Sequence, residues 1–166
     1  YQPTMDKTTM PAIERTMLPP MMPELPALPG VRVGIDIVKI SGIVESMNSF
    51  GDTFLTRIFS TPERGYICSN PALAAERAAA RFAAKEAAIK AFDLADTGIG
   101  WNELEVERRP CGECRLVLHG AALARATAIG LAPAGLSMTH DGDHAVAIVL
   151  AATPVPPNPP ISRQAS

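Results

Sequence analysis

The chain has 166 residues, 47% of them hydrophobic and 19% charged, with a formal net charge of -2. That length points to one domain. So small a charge excludes the basic excess of a general nucleic-acid binder, and 5% aromatic content leaves little for stacking on single-stranded bases.

Proline sets the boundaries. Seven of the 16 prolines fall in residues 1–30 and five in residues 154–160. Proline fixes φ and removes a backbone donor, so "LPPMMPELPALPG" and "TPVPPNPP" suit neither a regular helix nor a central strand. Residues 1–30 and 153–166 are therefore expected as proline-rich tails around one folded unit, residues 31–152. No run of about 18 apolar residues occurs, so no membrane span is expected. The start of the chain lacks the basic-then-apolar order of a secretory signal. Three cysteines are too few for a disulfide framework, and a reducing, cytoplasmic setting is the expectation.

In chain order, "VRVGIDIV" (Val31–Val38) is β-branched and alternating, which predicts a strand. Helical spacing runs from Ile40 to about Phe59, broken near Ser49–Asp52. "STPERGYI" predicts a helix start with Thr61 as N-cap, Pro62 at the first position and Glu63 in the first turn. Leu73–Phe92 is a long run of strong helix formers without glycine or proline. "LEVER" and "RLVLHG" predict a hairpin around "RPCGEC". A helix over Ala121–Ile129 ends at Gly130, and "AGLSMTH" and "HAVAIVLAA" predict two last strands around the turn "DGD". This order is α+β: antiparallel strands packed on a long helix, with no repeated βαβ unit.

Several residues stand out for their chemistry, each with a plainer alternative. Asp36 lies among β-branched neighbours, where a carboxylate is paired or metal-bound if buried and ordinary if it faces solvent from an edge strand. Glu86 and Lys90 are four apart on one helix face and could form a surface ion pair. Arg77, Arg81 and Lys85 form a basic stripe that could equally be a solvated face. His140 closes a strand before a turn and could be structural; His119 carries less signal still. Cys111 and Cys114 form a CxxC, but zinc wants four ligands and only Cys68 and His119 remain. A redox CxxC opens a helix, whereas this one sits in a predicted hairpin turn. "DTGIG" has neither the lysine of a P-loop nor GxGxxG spacing, so a phosphorylated ligand would need metal and basic side chains.

Order and spacing say more than any single residue. "GIDIV", then "FLTRIFSTPERGYI" with "RFAAKEAAIKAF" and "GIG", then "LSMTHDGDHAVAIVL" resemble the holo-[acyl-carrier-protein] synthase family from about Val31 to Ala151. The resemblance implies the 4′-phosphopantetheinyl transferase fold and a transfer of 4′-phosphopantetheine from coenzyme A to a serine of an apo acyl carrier protein, with release of 3′,5′-ADP. It implies Mg²⁺ bound by Asp36 and Glu86, hard oxygen ligands of the kind this ion prefers. Glu86, Lys90 and His140 match catalytic positions of the family. Arg81, Lys85, Lys90 and His140 match positions that contact coenzyme A or shape its pocket. The family also implies a homotrimer with sites between neighbouring subunits.

Three departures accompany the match. Gly42 stands where the family usually has an arginine for docking the acidic carrier, His144 stands where an aromatic residue is common, and the tails lie outside the resemblance. Two other functional classes compete: a relative that binds coenzyme A or a carrier without catalysis, and a zinc or thiol-redox module built on Cys111 and Cys114.

Overall fold

The computed structural model describes residues 30–154. The expected tails lie outside the described residues, apart from Gly30, Thr153 and Pro154.

Strand β1 (Val31–Lys39) runs directly into helix α1 (Ile40–Phe50), and α2 (Asp52–Ile58) follows after a single residue. That residue is Gly51, whose φ of 52° is costly for a side chain that carries a Cβ. Helix α3 (Thr61–Cys68) is capped one residue earlier than expected, by Ser60 instead of Thr61. The Ser60 hydroxyl accepts from the Glu63 N–H while a Glu63 carboxylate oxygen accepts from the Ser60 N–H at 2.8 Å. This reciprocal pairing needs serine and glutamate three apart, and only Ser60 has that spacing to Glu63.

A 3₁₀ turn at Pro71–Leu73 leads into α4 (Ala74–Phe92), the long helix. The hairpin of β2 (Leu104–Arg108) and β3 (Cys114–Leu118) follows, then α5 (Gly120–Ala128), β4 (Ala132–Asp141) and β5 (His144–Ala152). The fold is α+β with antiparallel pairing throughout, and the strands divide into two sheets, β1-β5-β4 and β2-β3.

Helix α4 lies flat on the larger sheet because nothing bulky separates them. Ala83, Ala84, Ala87, Ala88 and Ala91 are fully buried. At Gly34 the approach is closer still: a Cβ there would stand 1.9 Å from the Ala87 carbonyl oxygen. Apolar positions of a half-covered sheet should alternate between core and solvent. Here the face away from α4 is apolar too, with Val33, Ile35, Ile37, Ile148 and Leu150 all exposed.

Candidate active site

Asp36 is two residues beyond Gly34, so strand alternation turns it to the same face, under α4. It does not face open solvent: its side chain is 16% exposed, and Lys90 Nζ donates to its Oδ1 at 2.8 Å. Lys90 also donates to the Ile35 carbonyl at 2.9 Å. The helix ammonium is thereby pinned across β1 by two bonds. Among the described residues Lys90 pairs with Asp36, and the i,i+4 pair with Glu86 does not form.

Glu86 sits one helical turn before Lys90. Burial pushes its carboxyl above the usual range, the negative charge of Asp36 pushes the same way, and Lys90 opposes both. Two carboxylates thus share a partly dry site in which the charge of one burdens the other. A divalent cation relieves that repulsion, so the donor set fits one. Among the described residues no third histidine, cysteine or acid joins the cluster. Two carboxylates suit Mg²⁺, which takes few protein ligands and completes its shell with water and substrate phosphates.

The basic stripe of α4 is not a solvated face. Lys85 is completely buried, and its three protons go to Glu63 Oε2 at 2.8 Å and to the carbonyls of Trp101 and Leu104. Glu63 also accepts from the Ser60 and Val106 N–H groups. Burial draws the Lys85 ammonium below its ordinary range, against the pull of Glu63. With no exposed atom and no free proton, Lys85 does not present itself to a ligand. Direct contact with the cofactor, one of its two expected roles, does not fit this geometry. Lys85, expected on a solvated stripe, is instead paired in the interior with Glu63 of α3.

Arg81 is 3% exposed. Its guanidinium carbon lies 4.2 Å from the centre of the Tyr66 ring, and burial, first of all, lowers its pKa. With Tyr66, Arg77, Met138, Cys114 and His140 it lines a cavity of about 250 Å³. His140 is exposed at the end of β4. The predicted site residues thus form two groups. Asp36, Glu86 and Lys90 meet between β1 and α4; Arg81 and His140 meet in the cavity that Met138, Thr139 and His140 of β4 help to line. Cys111 and Cys114 lie at the β2–β3 hairpin as expected, both free thiols, with Cys111 exposed and Cys114 half-buried.

Sequence reasoning did not single out Gly34, Tyr66 or Arg108, and it used Glu63 only as a helix-start residue. The Ser60–Glu63 spacing was a local signal for the cap. The contacts Glu63 and Tyr66 make with α4 have no local signature.

Comparison with known proteins agrees with this architecture. Residues 32–149 match the model of the 4′-phosphopantetheinyl transferase superfamily. A holo-[acyl-carrier-protein] synthase of Koribacter versatilis is 46% identical over 118 residues, covering 70% of this chain and 94% of the relative. One of Solidesulfovibrio magneticus is 40% identical over 119 residues, covering 71% and 94%. Among solved structures, an ACPS–CoA complex of Chronobacterium ammoniagenes superposes with a TM-score of 0.66 at 32% identity, covering 75% of this chain and 98% of that one. The chain belongs to the holo-[acyl-carrier-protein] synthase family of phosphopantetheinyl transferases, and is an enzyme of that family.

Proposed function

We propose that this enzyme transfers 4′-phosphopantetheine from coenzyme A to a serine hydroxyl of an apo acyl carrier protein, in a Mg²⁺-dependent reaction. The observation that carries this reading is the meeting of Asp36, Glu86 and Lys90 across the β1–α4 contact. Asp36 and Glu86 would hold the ion. When bound, it supplies positive charge against the pyrophosphate of coenzyme A. The serine oxygen forms a bond to the β-phosphorus, the bond from that phosphorus to the bridging oxygen breaks, and 3′,5′-ADP leaves with the electron pair. Lys90 keeps an ammonium beside the two carboxylates, where it balances phosphate charge. With Glu86 engaged by the ion, His140 is the group suited to receive the serine proton.

The two residue groups form a working site in a homotrimer, in which the Arg81–His140 cavity of one subunit faces the Asp36–Glu86–Lys90 cluster of its neighbour. The bare apolar sheet face of Val33, Ile35, Ile37, Ile148 and Leu150 supports such an assembly, since a patch of this kind marks an interface. No helix among the described residues is long and apolar enough to cross a membrane. Gly42 of α1 leaves carrier docking to other basic residues, Arg57 and Arg64 on α2 and α3.

The test is incubation with coenzyme A, Mg²⁺ and a panel of apo carrier proteins, read by mass spectrometry. The pantetheine mass shift on at least one carrier is expected, lost in Asp36→Asn and Glu86→Gln. Coenzyme A binding without a shift on any carrier would show a non-catalytic relative instead.

A further inference from the structure

We propose that Tyr66 is a positioning residue, whose ring gathers Arg77, Arg81 and Arg108 into one cluster that takes the phosphate-bearing nucleotide end of coenzyme A. The identity of the ligand rests on the reading above; its polyanionic class rests on the cluster itself. The guanidinium carbons of Arg77, Arg81 and Arg108 lie 4.3, 4.2 and 5.2 Å from the centre of the Tyr66 ring. The negative face of an aromatic ring attracts such cations. The Tyr66 carbonyl also accepts from Arg77 Nη1 at 2.8 Å.

Three like charges so close together need compensation; Glu76 lines the cavity of Arg77 and Arg81 but lies within ion-pair distance of none of the three. Among the described residues none of the three arginines has a carboxylate within salt-bridge distance. Glu63 is committed to Lys85, Glu105 to His119 and Glu107 to Arg115. Arg81, 3% exposed, keeps its buried Nε without any partner. Tyr66 and Arg81 together form the wall between two cavities. One, of about 250 Å³, contains Arg77 and His140; the other, of about 310 Å³, contains Arg108 and Arg109. A ligand with several phosphate charges satisfies such a wall, because guanidinium forks bind phosphate oxygens in pairs. Tyr66 itself need not touch it. The ring fixes where the forks point, and that lowers the ordering cost of binding.

The experiment uses the full chain, with calorimetric titration of 3′,5′-ADP beside transfer rates at varied coenzyme A. Tyr66→Phe keeps the ring and is expected to bind like wild type. Tyr66→Leu is expected to lose about tenfold in 3′,5′-ADP affinity and to raise the KM for coenzyme A by a similar factor, with kcat and the carrier KM nearly unchanged. A merely structural role would lower kcat and stability without this split. Wild-type affinity in Tyr66→Leu, or equal loss in Tyr66→Phe, overturns the proposal. If Tyr66→Leu does not fold, Arg108→Gln, at an exposed position, decides: several-fold weaker 3′,5′-ADP binding supports the cluster, and unchanged binding overturns it. Failure of the transfer reading appears separately, as wild-type protein that binds 3′,5′-ADP through Tyr66 yet modifies no carrier.

Discussion

Gly34→Ala is the smallest substitution that should disturb both the fold and the site. The added methyl would lie 1.9 Å from the Ala87 carbonyl oxygen and 2.9 Å from the Ala91 nitrogen. Restoring ordinary contact at 3.4 Å requires α4 to retreat from β1 by about 1.5 Å. Overpacking a tight interior costs about 1–3 kcal/mol. Here backbone meets backbone and no rotamer can give way, so the upper end, about 3 kcal/mol, is expected. For a folded unit of this size that is a loss of roughly 10 °C in Tm. The retreat also carries Glu86 and Lys90 away from Asp36, whose bond to Lys90 is 2.8 Å. A misplacement of about 1 Å costs on the order of a hundredfold in rate. Urea denaturation and the mass-shift assay at saturating coenzyme A measure the two effects. Because the clash is with a carbonyl oxygen, trimming the Ala87 side chain should not help: Gly34→Ala with Ala87→Gly should be no better than Gly34→Ala. Wild-type stability and rate in the single variant, or rescue by Ala87→Gly, would refute the steric account.

Three further outcomes follow from the same geometry. Lys85→Met leaves Glu63 charged and buried alone, so a loss of about 3–5 kcal/mol is expected in urea denaturation; adding Glu63→Gln should recover part of it by removing that charge. On the trimer reading, Ile35→Glu places a charge in the interface and should give a folded monomer by light scattering, because the position is 56% exposed in the single subunit. Transfer should be lost and the Tm lowered by the lost association. Glu103 accepts from the N–H groups of Gly100 and Ala122, which hold its carboxyl below the usual range. A lowered folded pKa stabilises above the unfolded value and is lost as pH falls through the folded one. Wild type should therefore exceed Glu103→Gln in urea midpoint at pH 7, and the gap should close in strong acid.

Much of the fold was legible because its signals are local. The β-branched run of β1, the alanine-rich run of α4 and the turn between β4 and β5 announce themselves within a few residues, and the β5 bounds His144–Ala152 coincide with the expected segment. Asp36, Glu86 and Lys90 could be named because the motifs that carry them resemble those of a known family. Their partners could not. Whether Asp36 faced solvent or helix depended on which face of β1 meets α4, and that is decided by Gly34, where only a missing side chain permits contact. Likewise Arg77, Arg81 and Lys85 have the spacing of a wet stripe on α4. Their surroundings come from α3, whose Glu63 lies 22 residues before Lys85, and no local pattern reports a contact at that separation.

The alanine content of α4 connects these observations. A helix with larger side chains would stand farther off the sheet, since interiors are close-packed. Lying flat instead, α4 can reach across β1 with the short distance between Lys90 and Asp36, and from its other residues bring Arg77 and Arg81 to the Tyr66 wall. In the homotrimer proposed above a second copy would supply the other half, with the apolar face of β1 and β5 as the surface available for contact. On that reading the short reach of α4 builds each half-site and assembly joins them, so Ile35→Glu should abolish transfer while each isolated subunit still binds 3′,5′-ADP weakly.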